Sequence, residues 1–365
     1  MRSQMPTTPS TYKVIGLMSG TSLDGLDIAY CHFTKNTKGW SFSIEKSSDV
    51  SYSPELKQKL KNSINLNPVE LFAFHNEYGA WLGKQVKIFT ERYDLDPDFI
   101  ASHGHTVFHQ PEIGITYQIG SGQHIANASG QKVICDFRTN DVALGGQGAP
   151  LVPIGDLLLF HEYDFCLNLG GIANISFELH QKRIAYDISP ANMLLNYICG
   201  TIQLEYDDKG NLSRNGSLNE ELLKSLNELD YYKRSYPKSL GFEWFQEKML
   251  PIIKNTQDAT ENLLHTSIHH IAEQIANAVK QTNKQGSTLL ITGGGAKNDF
   301  LIETLENKTH SFCKVITPTK AIIDFKEALI FAFMGVLRER NEANCLSSVT
   351  GAKTNSSSGV IYHPS

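Results

Sequence analysis

Apolar β-formers run from Val14 to Met18 and resume, after a Ser-Gly-Thr-Ser segment, from Leu23 to Phe33. Two apolar runs joined by small residues predict a hairpin. A third strand is predicted at Trp40–Ile44. Pro68 after Asn67 is a helix start signal. Val69, Phe72, Phe74, Tyr78, Trp81, Leu82, Val86 and Phe89 then recur near the helical period, which predicts a long helix to about Arg92. Short strands are predicted at Phe99–Ser102 and Val133–Asp136.

The second half repeats this order. Phe165–Leu169 is apolar, Gly170-Gly171 turns the chain, and Ile172–Phe177 returns as a strand. Arg183–Ile188 is a third strand, and a helix is predicted near Ala191. Ile268, Ile271, Ile275 and Val279 mark one face of an amphipathic helix over about Thr260–Lys280. A buried strand at Thr288–Thr292 runs into Gly293-Gly294-Gly295. A strand at Lys314–Thr317 and a helix at Phe325–Arg338 follow. The duplicated order predicts two α/β domains, 12–150 and 151–365, with a C-terminal tail that can return to the first. It also predicts glycine turns facing a cleft between the domains, where ligands usually bind. Residues 206–245 are rich in Gly, Asn, Ser and Pro and read as an insertion, by default a linker, otherwise a substrate-facing flap.

Length agrees, since 365 residues suit two domains at roughly 150 each. A hydrophobic share of 41% and a charged share of 19% supply a sizeable core. Lys+Arg 33 against Asp+Glu 38 leaves a net charge of −5, without the basic excess a nucleic-acid protein needs. Apolar runs such as 150–160 fall short of the ~20 residues that span a bilayer. The first residues lack an apolar h-region, so no secretory signal and no membrane association are expected. Cys31, Cys135, Cys166, Cys199, Cys313 and Cys345 lie mostly in apolar stretches without CxxC spacing, as expected for buried thiols in a reducing cytoplasm.

Candidate chemistry gathers at three glycine turns, each after an apolar strand: Gly20-Thr21-Ser22-Leu23-Asp24-Gly25, Gly170-Gly171, and Gly293-Gly294-Gly295 with Asn298. Glycine lets backbone N–H groups approach a phosphate closely. A single such turn is ordinary hairpin chemistry. Three in a duplicated α/β pattern point to a nucleotide site split across two domains. Neither GxxxxGK[ST] nor GxGxxG is present. Asp24 and Asp27 follow the first turn, where a carboxylate usually acts through Mg²⁺. Asp187 ends a strand before Ser189-Pro190-Ala191-Asn192, and local sequence leaves two readings, helix N-cap or general base. Arg138, Asp141 and Gln147, in a glycine-rich segment, suit hydrogen bonding to a sugar or a carboxylate, or a domain-connecting loop. His103 and His105 would share one strand face, and His265, His269 and Glu273 are spaced i, i+4, i+8. Neither set contains HExxH, which argues against a metal site.

GLMSGTSLDGLD, SHGHTVFHQP, DFRTNDVALGGQGAPLVP, NLGGIANIS, PKSLGFE, GGGAKN, FKEALIFA and TGAK, in this order from about Val14 to Tyr362, resemble blocks of the anhydro-N-acetylmuramic acid kinase family. The resemblance implies two ribonuclease H-like domains of the actin-like, sugar kinase type. It implies an ATP- and Mg²⁺-dependent cytoplasmic enzyme of cell-wall recycling, typically a homodimer. The implied reaction takes 1,6-anhydro-N-acetylmuramate, ATP and water to N-acetylmuramate 6-phosphate and ADP. By resemblance Asp187 activates the water and Glu327 assists at the sugar. Gly20, Thr21, Ser22, Leu23, Asp24, Gly25, Leu26 and Asp27 form the ATP phosphate loop, with Asp24 next to Mg²⁺. Gly170 and Gly171 are the second phosphate turn, and Gly293, Gly294, Gly295 and Asn298 the adenosine turn. Asn192 joins Arg138, Asp141 and Gln147 as a substrate residue. The family's D-T-G-P-G-N is here Asp187-Ile188-Ser189-Pro190-Ala191-Asn192, and His105 stands where glutamine is common. The alternatives are a kinase for another amino sugar and a non-catalytic nucleotide switch. Retention of Asp187 and Glu327 favours an enzyme over a switch.

Overall fold

A computed structural model describes residues 10–20 and 23–365. In chain order the elements used below are β1 (Thr11–Ser19), β2 (Leu26–Asn36), β3 (Gly39–Val50), α1 (Pro68–Tyr93), β4 (Phe99–Ser102), β5 (His105–Gln110), β6 (Ile115–Ile119), α2 (Gly122–Ser129), β7 (Val133–Cys135), α3 (Pro153–Leu159), β8 (Phe165–Leu169), β9 (Ile172–Leu179), β10 (Lys182–Pro190), α4 (Asn192–Gly200), α5 (Thr260–Lys280), β11 (Ser287–Thr292), α6 (Asp299–Thr309), β12 (Cys313–Ile316), α7 (Lys320–Glu339) and β13 (Val360–Tyr362).

The predicted duplication is present in the sheets. One has the order β13-β7-β4-β1-β2-β3, the other β10-β9-β8-β11-β12. In each, the first strand pairs antiparallel with the second and parallel with the fourth, which is the ribonuclease H-like arrangement. The third strand pairs antiparallel with the second in both. The antiparallel pairs are joined by short turns, whereas the parallel neighbours need helical crossovers. The β1 residues Val14, Ile15, Gly16 and Leu17 are all buried, as expected of a central strand covered on both faces. Helix α1 begins as its sequence signals predict. Asn67 accepts from the Glu70 N–H at 3.0 Å, and the Glu70 carboxylate accepts from the Asn67 N–H at 3.1 Å.

The chain divides into two compact units. The first takes the described residues up to Leu159 together with Phe325–Ser365, and the second is Phe160–Asp324. The first unit therefore holds more of the chain than a division at 150/151 gives it. Two contacts explain this. Strand β13 pairs with β7, and α7 lies directly on β1, where a Cβ at Gly16 would stand 1.9 Å from the Ala328 carbonyl oxygen. No helix among the described residues is long and apolar enough to cross a membrane. All six cysteines are buried and free.

Residues 206–245 are not a linker. Leu222, Leu226, Tyr231, Leu240 and Phe245 from this stretch are buried, and Leu222, Leu226 and Phe245 belong to the core of the second unit. Its local polarity hid short helices such as Glu220–Asn227, whose apolar positions face inward. The histidine prediction also changes. Strand β4 stops at Ser102, and Gly104, with φ of +73°, turns the chain before β5, so His103 and His105 do not share a strand.

Candidate functional site

In the second unit the parallel strands β8 and β11 carry their glycine turns side by side, with Asn168 in register with Thr292. Gly293 packs tightly, since a Cβ there would stand 2.4 Å from Asn168 Oδ1. Its φ of +83° also favours glycine. Gly295 is equally confined, 2.7 Å from Leu169 Cβ. Gly170, Gly171 and Gly294 differ. A Cβ on them would meet nothing nearer than 3.5, 3.9 and 3.5 Å. Packing does not demand glycine at these three positions, so they leave a bare backbone surface that a phosphate or a ribose could approach.

Asn192 ties the two turns together. Its N–H donates to Gly170 O at 3.2 Å, its Nδ2 donates to Leu169 O at 3.2 Å, and its side chain borders Gly294 and Gly295. It thus sits between the two glycine turns. Asn298 is the N-cap of α6, accepting from the Leu301 N–H at 3.0 Å, so its side chain serves the helix end.

Asp187 is not a helix cap. It lies within β10, the cap position of α4 is Ala191, and no side chain caps that helix. A bulge between Asp187 and Ser189 re-aims the strand end. Asp187 is gripped by the insertion. Its N–H donates to Lys238 O at 3.4 Å, its carbonyl accepts from Tyr231 Oη at 2.5 Å, and its Oδ2 accepts from the Leu240 N–H at 2.9 Å. Its Oδ1 has no protein donor among the described residues. Burial raises the carboxyl pKa, opposed by the Leu240 N–H. A carboxylate held on one oxygen with the other unengaged is well arranged to take a proton.

In the first unit, β1 ends in a buried hydroxyl cluster. Ser19 Oγ lies 2.7 Å from Tyr52 Oη and accepts from Tyr78 Oη at 2.8 Å, with His105 Nδ1 at 3.5 Å. Gly20 follows, and its carbonyl accepts the Leu23 N–H at 3.3 Å. Thr21 and Ser22 lie outside the described residues. Leu23 has φ of +60°, and Asp24 is exposed. Gly25 packs against β3, a Cβ there standing 2.7 Å from Val50 O. The Leu26 side chain is in the core, and Asp27 is half-buried on β2.

Arg138 donates through Nη1 to Gly148 O at 2.6 Å and through Nε to His103 Nε2 at 3.0 Å. His103 in turn donates its Nδ1 proton to Gly104 O at 2.8 Å. Desolvation, then the Arg138 charge, holds its pKa well below the ordinary value, so the ring stays neutral and can accept from Arg138. Glu327, on α7, is within electrostatic reach of Arg138. Burial raises its pKa, and Arg138 and then Lys326 oppose the shift. Asp141 faces inward. It is fully buried and accepts from the Gly148 N–H and Thr350 Oγ1, both at 2.8 Å. It anchors the loop instead of presenting a free carboxylate. Gln147 is exposed on that loop. Among the described residues no three His, Cys, Asp or Glu side chains converge as a metal site. His265 donates to Ser213 O at 2.9 Å and stacks on His269.

The family model for anhydro-N-acetylmuramic acid kinase matches residues 12–364. The chain belongs to the anhydro-N-acetylmuramic acid kinase family. Among its relatives, anhydro-N-acetylmuramic acid kinase of Sulfurovum sp. is 34% identical, over 96% of this chain and 99% of the relative. The Vibrio cholerae protein of that name is 34% identical, over 96% and 98%, and the Aliivibrio fischeri one 35% identical, over 96% and 99%.

Within an anhydro-N-acetylmuramic acid kinase, the altered D-I-S-P-A-N turn is absorbed by packing. Ile188 and Ala191 are buried in the core cluster. Ser189 is fully buried, and its hydroxyl donates to Pro190 O at 3.0 Å and lies 3.0 Å from Tyr232 Oη. Neither Ser189 nor Ala191 has a positive φ, so the backbone here does not require glycine. Sequence reasoning missed Tyr231 and Leu240 as the partners of Asp187, and His103 as the partner of Arg138. The one available signal was the Tyr231-Tyr232 pair inside an otherwise polar insertion.

Proposed function

We propose that this protein is an ATP-dependent kinase that converts 1,6-anhydro-N-acetylmuramate, ATP and water to N-acetylmuramate 6-phosphate and ADP in peptidoglycan recycling. The reading is carried by the family match along nearly the whole chain, and the half-engaged carboxylate of Asp187 supports it. Asp187 takes a proton from water as the water oxygen attacks the anomeric carbon. The bond from that carbon to the 6-oxygen breaks, and the freed 6-oxygen attacks the γ-phosphoryl group with ADP as leaving group. Glu327 and Arg138 bind the sugar, Arg138 facing its lactyl carboxylate, with Gln147 as a further polar contact. Gly20–Asp27 receives the phosphates together with Gly170 and Gly171, and Gly293–Gly295 receives the nucleoside. Mg²⁺ neutralises phosphate charge in kinases. Asp24 is the exposed carboxylate that would hold it, with nucleotide oxygens and water completing its shell. A cytoplasmic location and a homodimer complete the proposal.

The reading is tested by ADP release with 1,6-anhydro-N-acetylmuramate beside N-acetylmuramate and N-acetylglucosamine. ADP release that follows the anhydro sugar is expected. Equal or greater release with N-acetylglucosamine would transfer the enzyme to another amino sugar.

The bare glycine surface makes its own prediction. Gly294→Val introduces bulk where the protein has room, so the variant should melt like wild type yet bind ATP at least tenfold more weakly by calorimetry. Gly293→Val should lose stability, because its site is filled and its φ is positive. Normal ATP binding by a folded Gly294→Val variant would remove this turn from the nucleotide site.

A further inference from the structure

Tyr186 and Ile188, the neighbours of Asp187 on β10, line a cavity of about 430 Å³ together with the end of α5 and the insertion. Tyr186 and Asp187 are consecutive in the regular part of the strand, before the bulge, so their side chains leave it on opposite faces and the cavity wall that Tyr186 forms lies behind the carboxylate. Its wall carries Lys233, Lys238 and Lys280 against one acid, Glu273. Glu273 is already engaged, accepting from Asn227 Nδ2 at 3.0 Å and facing Lys308 Nζ at 3.4 Å. Lys233 pairs at the surface with Asp230 at 3.0 Å. Among the described residues Lys238 has no carboxylate partner. Its Nζ donates to Tyr231 O at 3.4 Å and lies over the Tyr231 and Tyr186 rings at 4.6 and 5.6 Å. Side-chain amides of Asn277 and Gln281 also line it. Cations, amides and a tyrosine wall in a space of monosaccharide size are the chemistry that receives an anionic sugar.

The same segment holds Asp187. The Lys238 carbonyl accepts its N–H, Leu240 donates to its carboxylate, and Tyr231 donates to its carbonyl. We propose that this cavity is a second binding site, for a phosphorylated monosaccharide, and that its occupancy repositions Asp187 through Lys238 and Leu240. The binding half stands alone, and the effect on rate rests on the reading of Asp187 as the base.

The probe is N-acetylglucosamine 6-phosphate, with N-acetylglucosamine as the uncharged control, titrated by calorimetry into the full chain without nucleotide. Binding of the phosphorylated probe alone is expected. It should weaken at least tenfold in Lys233→Gln/Lys280→Gln and in the cavity-filling Asn277→Trp, each checked for wild-type circular dichroism. 1,6-anhydro-N-acetylmuramate should not displace it. At saturating probe, kcat should change at least threefold in wild type and stay constant in the double variant, whose basal turnover is unchanged. No binding, binding unaffected by both variants, or displacement by the anhydro sugar overturns the site. Binding with constant kcat overturns the coupling. Loss of turnover in Asp187→Asn alongside absent probe binding would sink this site and leave the catalytic reading intact. Retained turnover in that variant would sink the catalytic reading while probe binding still stood.

Discussion

Replacing Asp187 by asparagine should lower turnover at least a hundredfold while leaving the fold and ATP binding near wild type. The neutral amide keeps an oxygen that can accept the Leu240 N–H, now at 2.9 Å from Oδ2. The contacts to Tyr231 and Lys238 are made by the Asp187 backbone and do not depend on the side chain. What is lost is the ability to take a proton, and loss of a general base typically costs about 10²–10⁴-fold in rate. The pH dependence gives an independent check. Burial raises the Asp187 pKa, so the acid limb of kcat/KM should lie above that of an ordinary aspartate and vanish from the residual activity of the variant. Stability carries the matching sign. A carboxyl whose folded pKa is raised binds its proton more tightly in the native state, so ionisation costs stability as pH rises through that range. Asparagine does not ionise, and the variant should melt at or above the wild-type temperature at neutral pH. Near-wild-type turnover in a folded Asp187→Asn protein would end its assignment as the base and move the search to Glu327.

Lys326→Met should destabilise the fold, by up to about 3–5 kcal/mol, the usual cost of removing one partner of a buried ion pair. Lys326 Nζ lies 2.7 Å from Asp156 Oδ1, with both side chains almost wholly buried, joining α7 to α3 beside Glu327. Such a pair contributes little net stability over an apolar replacement, since desolvation offsets most of the attraction. The double variant Lys326→Met/Asp156→Leu should therefore recover most of the loss. Urea midpoints of the three proteins measure this. A single variant within 1 kcal/mol of wild type would mean that the carboxylate of Asp156 is satisfied without the lysine.

The strand order of both units and the three glycine turns were legible because each depends on short-range pattern. Apolar runs of strand length, the Asn67-Pro68 helix start and glycines after buried strands are all local. The short helix α2 and the β5–β6 hairpin were not predicted, since each element is only five to eight residues long and gives too little repeat to read. The insertion at 206–245 was misread for a related reason. Its buried positions are spaced irregularly and acquire meaning only against α5 and β10.

The sequence by itself determined that the chain repeats one α/β pattern, that glycines stand at three strand ends, and that Asp187 lies in the last part of a strand, which the structure extends to Pro190. Local periodicity and turn chemistry settle these within a few residues of each site. Tertiary structure alone decided which glycines are filled by neighbours and which are left bare. It turned Asp141 inward to Thr350 and made Asn298 a helix cap. It also brought Leu240 and Tyr231 back onto Asp187 across 53 and 44 residues. The physical reason is the same each time. Burial and hydrogen-bond partnership are properties of groups distant in the chain, and no local pattern records which distant group arrives.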